Sequence, residues 1–242
     1  MSASDVLDRP QRVYVWLTGL FVTALLVANL TGPKFFHFGA VGVAGWTLRL
    51  EHSVGMFSFP ITFLLTDIVN DYFGAKGARR MTLIGMVMAA LTAGLLWLAR
   101  AAPAAPADRT YVPEEMFQQV FGQSSLLFVA SLCAYVLGQF CDIFVFGVFK
   151  RWSGGRMLWL RATGSTVLSQ MVDSLTISFL LGYGSLLASG TGASLGFILE
   201  TAAKGYALKF LIAIAITPLL YLGHGFVRRV LGLQPLAVEE RP

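Results

Sequence analysis

The sequence predicts an all-α integral membrane protein with six transmembrane helices and both termini in the cytoplasm. Three observations carry that expectation. The 242-residue chain is 56% hydrophobic and 13% charged, with a mean hydropathy of +0.69. A soluble domain carries about 25% charged residues, so lipid must solvate much of this surface. Six apolar stretches approach or exceed the roughly 20 residues a helix needs to cross the hydrocarbon, and basic residues gather in alternate connections between them.

In chain order the stretches are residues 13–31, 54–73, 81–99, 123–149, 163–187 and 202–227. The last three exceed the minimum and have room to tilt or protrude into water. The first reads as a retained helix: its flank M-S-A-S-D-V-L-D-R-P-Q-R mixes acids with bases, and V-A-N-L-T-G-P-K lacks an A-x-A cleavage site. Residues 13–230 therefore form the membrane domain, with residues 1–12 and 231–242 as short cytoplasmic tails.

With six spans, one set of ends and loops holds Arg9, Arg12, Lys76, Arg79, Arg80, Lys150, Arg151, Arg156, Arg161, Arg228, Arg229 and Arg241, twelve cations. The opposite set holds four: Lys34, Arg49, Arg100 and Arg109. The bias places both termini inside. The formal charge of +5 thus marks cytoplasmic loops, not a nucleic-acid surface. Lys209, nineteen residues before Arg228 and about 28 Å away along a helix, is expected to snorkel toward the outer surface. Residues 32–53, rich in Gly and aromatics, suggest a short hairpin or cap, and 112–119 a short amphipathic segment. Phe59-Pro60 suggests a kink or helix start, and Pro218 a bend in the last span. Cys133 and Cys141 lie eight residues apart, about 12 Å along one helix, too far for a disulfide.

The chemistry sits where polar side chains interrupt these spans. Asp67, Asn70 and Asp71 fall at i, i+3 and i+4 on one face of the second. Tyr135, Gln139 and Asp142 share a face of the fourth, and Thr166, Ser169, Gln170 and Asp173 one of the fifth. Asn29 adds an amide near the outer end of the first. An ionised side chain at the bilayer centre costs at least about 2.5 kcal/mol. With few cations expected at that depth, the acids look under-compensated, and a cavity so lined suits a cation, a proton or a neutral ligand rich in N–H donors. Plainer roles compete: Asp71 as an interfacial acid balanced by Lys76 and Arg79, Asn29, Gln139 and Gln170 as inter-helix hydrogen bonds, and Glu200–Lys204 as an ordinary i, i+4 pair. No metal or cofactor is expected, since His37, His52 and His224 are scattered near the membrane edges.

Three motifs, in this order, are more specific than composition. They are F-P-I-T-F-L-L-T-D-I-V-N-D-Y-F-G-A-K-G-A-R-R (59–80), G-Q-F-C-D-I-F-V-F (138–146) leading into K-R-W-S-G-G-R-M-L-W-L-R (150–161), and S-T-V-L-S-Q-M-V-D-S (165–174). Together they resemble the queuosine precursor transporter family, also known as the vitamin uptake transporter family, over roughly residues 13–230. The resemblance implies a multi-pass protein of the bacterial inner membrane that imports 7-cyano- or 7-aminomethyl-7-deazaguanine, with kinship to the substrate-binding subunits of energy-coupling-factor transporters.

Such a ligand fits the residue chemistry. A guanine-type edge presents adjacent N–H donors that a carboxylate accepts, and a carbonyl for an amide. The expected site is Asp173 with Gln170 and Asp142 with Gln139, completed by Asp67, Asn70 and Asn29, with Phe59, Phe63, Phe140 or Tyr135 stacking on the ring. The expected partners are the small molecule and the bilayer; a homodimer or a separate energising complex is left open. The chain carries no Walker sequence of its own. A rival is a lipid-modifying enzyme, since D-I-V-N-D gives a D-x-x-x-D spacing, but the acidic pattern of the lipid phosphatidyltransferases it superficially resembles is not completed downstream.

Overall fold

In the computed structural model, residues 8–43, 46–106, 109–122, 125–189 and 192–236 are described. The architecture is a helical bundle. Helix α1 spans Arg9–Thr31 and is followed by a two-stranded antiparallel hairpin, β1 (Phe35–Val43) and β2 (Trp46–Ser53). A 3₁₀ turn, Val54–Phe57, leads into α2 (Phe59–Ala101). Then come α3 (Glu114–Phe121), α4 (Ser125–Trp152), α5 (Leu158–Ser189) and α6 (Leu195–Arg229). Each of the six apolar stretches falls largely on a helix among the described residues, and the hairpin occupies the Gly-rich connection where one was expected.

Local chemistry sets the boundaries. Asp8 caps α1 through a capping box with Gln11, and Pro10 in the first turn gives up no needed hydrogen bond. Pro60 opens α2 in the same way, which is what Phe59-Pro60 suggested. Ser194 caps α6 by accepting from the Phe197 amide at 3.3 Å. Pro218 cannot donate to the carbonyl four residues back, and α6 is bent by 44° between Ala215 and Thr217.

Helix α2 departs most from expectation. Where a loop was expected between the second and third spans, the helix carries on through 75–80 and breaks only at Gly74, with φ 73° and ψ 174°. Its 43 residues would make a rod of about 65 Å, but they do not form one. Before the break, Phe73 packs on Tyr14 of α1 at 5.2 Å, and after it the Tyr14 hydroxyl donates to the Gly77 carbonyl at 2.9 Å. Further on, Gly85 touches Phe21 and Leu25, while at the other limit Gly55 abuts the Ala28 carbonyl. Both arms of α2 therefore run alongside α1 in opposite directions, folded back at Gly74.

The core clusters on this three-way packing: Phe21, Leu25, Val69, Met81 and Ile143 are fully or nearly fully buried. The outside is apolar, with Trp16, Leu95, Trp97, Phe144 and Leu222 all more than half exposed, as a lipid-facing surface requires. Among the described residues, Arg9–Thr31, Val54–Ala101 and Leu127–Trp152 are each long and apolar enough to cross a membrane, and the two bent pieces of α6 form a fourth candidate together. Helix α5 carries Arg161, Thr163, Ser165, Thr166, Ser169, Gln170 and Asp173 in its first half. The first and last helices meet at one end of the bundle, where the Arg9 guanidinium donates to the Val230 carbonyl at 3.1 Å.

The fold-back generates a prediction. Gly74 occupies a backbone region that is essentially glycine-only, and a Cβ there would lie 3.3 Å from the Leu236 Cδ1. Gly74→Ala is expected to destabilise the detergent-solubilised protein by about 1–3 kcal/mol, read as a lowered thermal or denaturant midpoint. An unchanged midpoint would show that the turn does not need this conformation.

Candidate functional site

The three polar helix faces named from the sequence converge. On α2 Thr66, Asp67, Asn70 and Asp71 are buried, on α4 Gln139 and Asp142, and on α5 Ser165, Thr166, Ser169 and Gln170. Helices α4 and α5 approach closely because Gly138 lets the Asp173 Cβ and the Ser169 backbone come against it. The Thr66 hydroxyl donates to the Gln139 Oε1 at 3.1 Å, and the Asn70 amide donates to the Ile143 carbonyl at 3.3 Å. Asp142 Oδ1 accepts from Ser165 at 2.9 Å, Ser169 at 3.2 Å and, at the limit of hydrogen bonding, Thr166 at 3.5 Å. Serine and threonine thus solvate a buried carboxylate in place of water.

Beside this network lies a cavity of about 1030 Å³ lined mainly by α1, α2, α4, α5 and α6. Its wall includes Asn29, Asp67, Tyr135, Gln139, Gln170 and Asp173, together with Phe59 and Phe63. Eight of the eleven expected site residues therefore share one wall. Three do not. Asp142 stands behind it, turned into its hydroxyl cage, and Asn70 is spent on the α4 backbone. Phe140 is likewise absent from the wall. Asn29 presents its edge, but its amide nitrogen donates to the Leu25 carbonyl of its own helix at 2.9 Å. Tyr135 offers its ring, since its hydroxyl donates to the Thr82 carbonyl at 3.2 Å.

The two wall acids differ. Asp173 Oδ2 pairs with the Lys209 ammonium at 2.5 Å. Asp67 is 3% exposed, makes no ion pair among the described residues, and its Oδ1 has no hydrogen-bond partner. The expectation that Lys209 snorkels outward is thus corrected: a carboxylate inside the cavity holds it more strongly than the distant surface attracts it.

The cavity ends on an ion cluster. Along α2, α4, α5 and α6 the wall stops at Asp67, Gln139, Ala162 and Leu220. Just beyond lie Asp71, Lys150, Arg161 and His224. Asp71 is fully buried; its Oδ2 accepts from the Arg161 guanidinium at 2.6 Å, and its Oδ1 faces Lys150 Nζ at 2.7 Å. The Lys150 contact is one of charge, since its Nζ is aligned instead on the Asp71 carbonyl at 3.3 Å. His224 Nδ1 stands 3.5 Å from Oδ2. Asp71 is therefore not an interfacial acid balanced by Lys76 and Arg79; its cations come from α4 and α5.

Comparison with known proteins identifies the family. The profile of the family described as "Putative vitamin uptake transporter" matches residues 53–223. The chain belongs to this family. Among curated proteins it is 29% identical over 199 residues to the "Queuosine precursor transporter" of Escherichia coli (strain K12), covering 75% of this chain and 79% of that protein. It is 29% identical over 161 residues to the "Probable queuosine precursor transporter" of Bacillus subtilis (strain 168), 64% of this chain and 65% of that one. The similarly named protein of Haemophilus influenzae is 25% identical over 243 residues, 97% of this chain and 95% of its own. No solved structure matches.

The family match covers the α2, α4, α5 and α6 parts of the cavity wall and Asp71, Lys150 and Arg161 of the ion cluster, and the family and the relatives are transporters by name. The structure gives a physical reason to set aside D-x-x-x-D chemistry, because both oxygens of Asp71 already face protein cations. Sequence reasoning missed Lys150, Arg161, His224 and Lys209 as cavity-side groups by counting them as loop or snorkelling residues. The signal available was spacing: Arg161 lies four residues before Ser165 and eight before Ser169, on the face of α5 that carries the Asp142 cage.

Removing one partner of a buried ion pair costs about 3–5 kcal/mol, because the other charge is left uncompensated. Asp71→Asn is expected to lower the stability of the purified protein by that order. Glu200→Gln, which breaks an exposed pair at 2.6 Å, is expected to leave the unfolding midpoint unchanged. Equal effects would deny the cluster its structural role.

Proposed function

We propose that this protein is an importer of queuosine precursors, 7-cyano- or 7-aminomethyl-7-deazaguanine, in the bacterial inner membrane. In this reading the domain of residues 13–230 crosses the bilayer six times, with the two arms of α2 counted separately and α5 as a polar, cavity-lining span. Residues 1–12 and 231–242 are cytoplasmic tails. The meeting of the α1 start and α6 end, and the gathering of cations there, support a common side for the termini. The names of the relatives support the ligand class.

The observation that carries the reading is Asp67: a buried carboxylate in the wall of a large cavity, with an oxygen that has no partner. A buried acceptor left bare costs about 1–3 kcal/mol or more, which a ligand with adjacent N–H donors removes. Gln139 and Gln170 stand in the same wall to meet a carbonyl, and Phe59, Phe63 and Tyr135 supply flat apolar surface. Asn29 and Asp173 border the site, while Asn70 and Asp142 act from behind it by fixing α4 and α5. Similarity to energy-coupling-factor binding subunits, and with it a separate energising partner, belongs to the same proposal.

The test is uptake of labelled precursor by cells unable to make it. Asp67→Asn and Gln170→Ala are expected to lower initial uptake by about tenfold or more at wild-type protein levels, since each lost ligand contact of about 1.4 kcal/mol is a tenfold change. Normal import by both variants would remove the site assignment. Transport by the purified protein alone in liposomes would remove the separate energising partner.

A further inference from the structure

The two wall acids are not equivalent, and the difference bears on which substituent a ligand can carry. Lys209 reaches into the cavity from α6 and pairs with Asp173 on α5, each side chain 19% exposed. A lysine ammonium has three donors; one is committed to Asp173 at 2.5 Å. The pair is electroneutral: the ammonium takes one carboxylate oxygen, Oδ2, and keeps donors to give. Asp67, by contrast, is the wall acid with no ion pair among the described residues.

The two features stand on different helices of the wall. Asp67 of α2 adjoins Thr66, which holds Gln139, and Asp173 of α5 packs against Gly138, the residue before Gln139. Gln170 lies in the same wall. The other lysine in the wall, Lys204, is already paired with Glu200 at 2.6 Å.

We propose that Lys209 is a specificity-determining residue: with the donor edge of a bicyclic ligand on Asp67, the far end meets the Lys209 ammonium, which accepts a neutral, hydrogen-bond-accepting substituent and rejects an ammonium one. This rests on the function proposed above and narrows it toward the nitrile-bearing precursor. The physical reason is like-charge juxtaposition. A nitrile nitrogen takes a spare lysine N–H without disturbing the ion pair. An aminomethyl cation must either face Lys209 or displace it from Asp173, and such contacts cost several kcal/mol when partly desolvated.

The experiment is a binding comparison on the full-length protein in detergent or nanodiscs, titrated with 7-cyano- and with 7-aminomethyl-7-deazaguanine. The readout is the ratio of the two affinities, in which a reduced folded fraction cancels. The wild type is expected to favour the cyano compound by about tenfold or more. Lys209→Met frees Asp173 and is expected to shift the ratio at least about tenfold toward the aminomethyl compound, whereas Lys209→Arg, which keeps the cation, leaves the preference in place. Binding of both ligands with a ratio unmoved by Lys209→Met overturns this inference alone. Binding of neither to the wild type overturns it together with the reading on which it rests.

Discussion

The fold hangs on one buried carboxylate. Asp71 is sealed from solvent yet holds Lys150 of α4 and Arg161 of α5 within ion-pair distance, with His224 of α6 alongside. Its backbone carbonyl also accepts from the Leu236 amide at 2.9 Å, drawing in the segment after α6. Taking these charges out of water is expensive, and attraction offsets the cost only when geometry and extra hydrogen bonds are good. Here Arg161 adds a bond to the Gly155 carbonyl at 2.8 Å and stacks its guanidinium over Phe146 at 5.6 Å. The reward is less stability as such than register. Four helices meet at one point, and none of α2, α4 and α5 can slide by a turn without baring a charge.

That register sets what lies above it. Asp67 is one turn from Asp71 on the same face, so fixing Asp71 against Arg161 aims Asp67 at the cavity. Gln139 is held by Thr66 next door, and Asp142 is fastened to α5 by three hydroxyls. Behind the wall, Gln139 and one oxygen of Asp142 are held by hydroxyl groups; in the wall, Asp67 Oδ1 has no partner. Wall groups fixed in this way need not move when a ligand arrives.

Much of this was legible in the residues. Apolar runs of about twenty residues located the helices, and the i, i+3, i+4 spacing of Asp67, Asn70 and Asp71 named a face that is indeed buried. The same rule placed Gln139, Gln170 and Asp173 on faces that converge. Periodicity failed where tertiary partners decide. It says which side of a helix a residue occupies but not how far a long side chain reaches, so Lys150, Arg161 and Lys209 read as surface cations. Nor does it say whether a residue on the right face lines a space or fills one: Asp142 and Asn70 share faces with wall residues and end in contact with α5 and α4. Gly74 was invisible for another reason. A glycine among G-A-K-G-A reads as loop, whereas one positive-φ residue is enough to reverse a helix.

The charges also constrain how a ligand could pass. The cavity reaches Pro33, Ser53 and Phe197 at one end and stops at the Asp71 cluster at the other. Asp67, the bare acceptor, is the wall residue of α2 closest to that floor. A ligand bound there sits one turn from the ion pairs that close its onward path. On the proposed transport reading, passage beyond the floor would part Asp71 from Lys150 or Arg161, since these contacts tie α2 to α4 and α5. A floor made of apolar packing would close again by burial alone. A floor made of ion pairs has two discrete arrangements, made or broken, and wetting lowers the cost of the broken one by restoring solvation to each charge. The residue that holds the bundle in register is, by the same contacts, the one that bars its inner end.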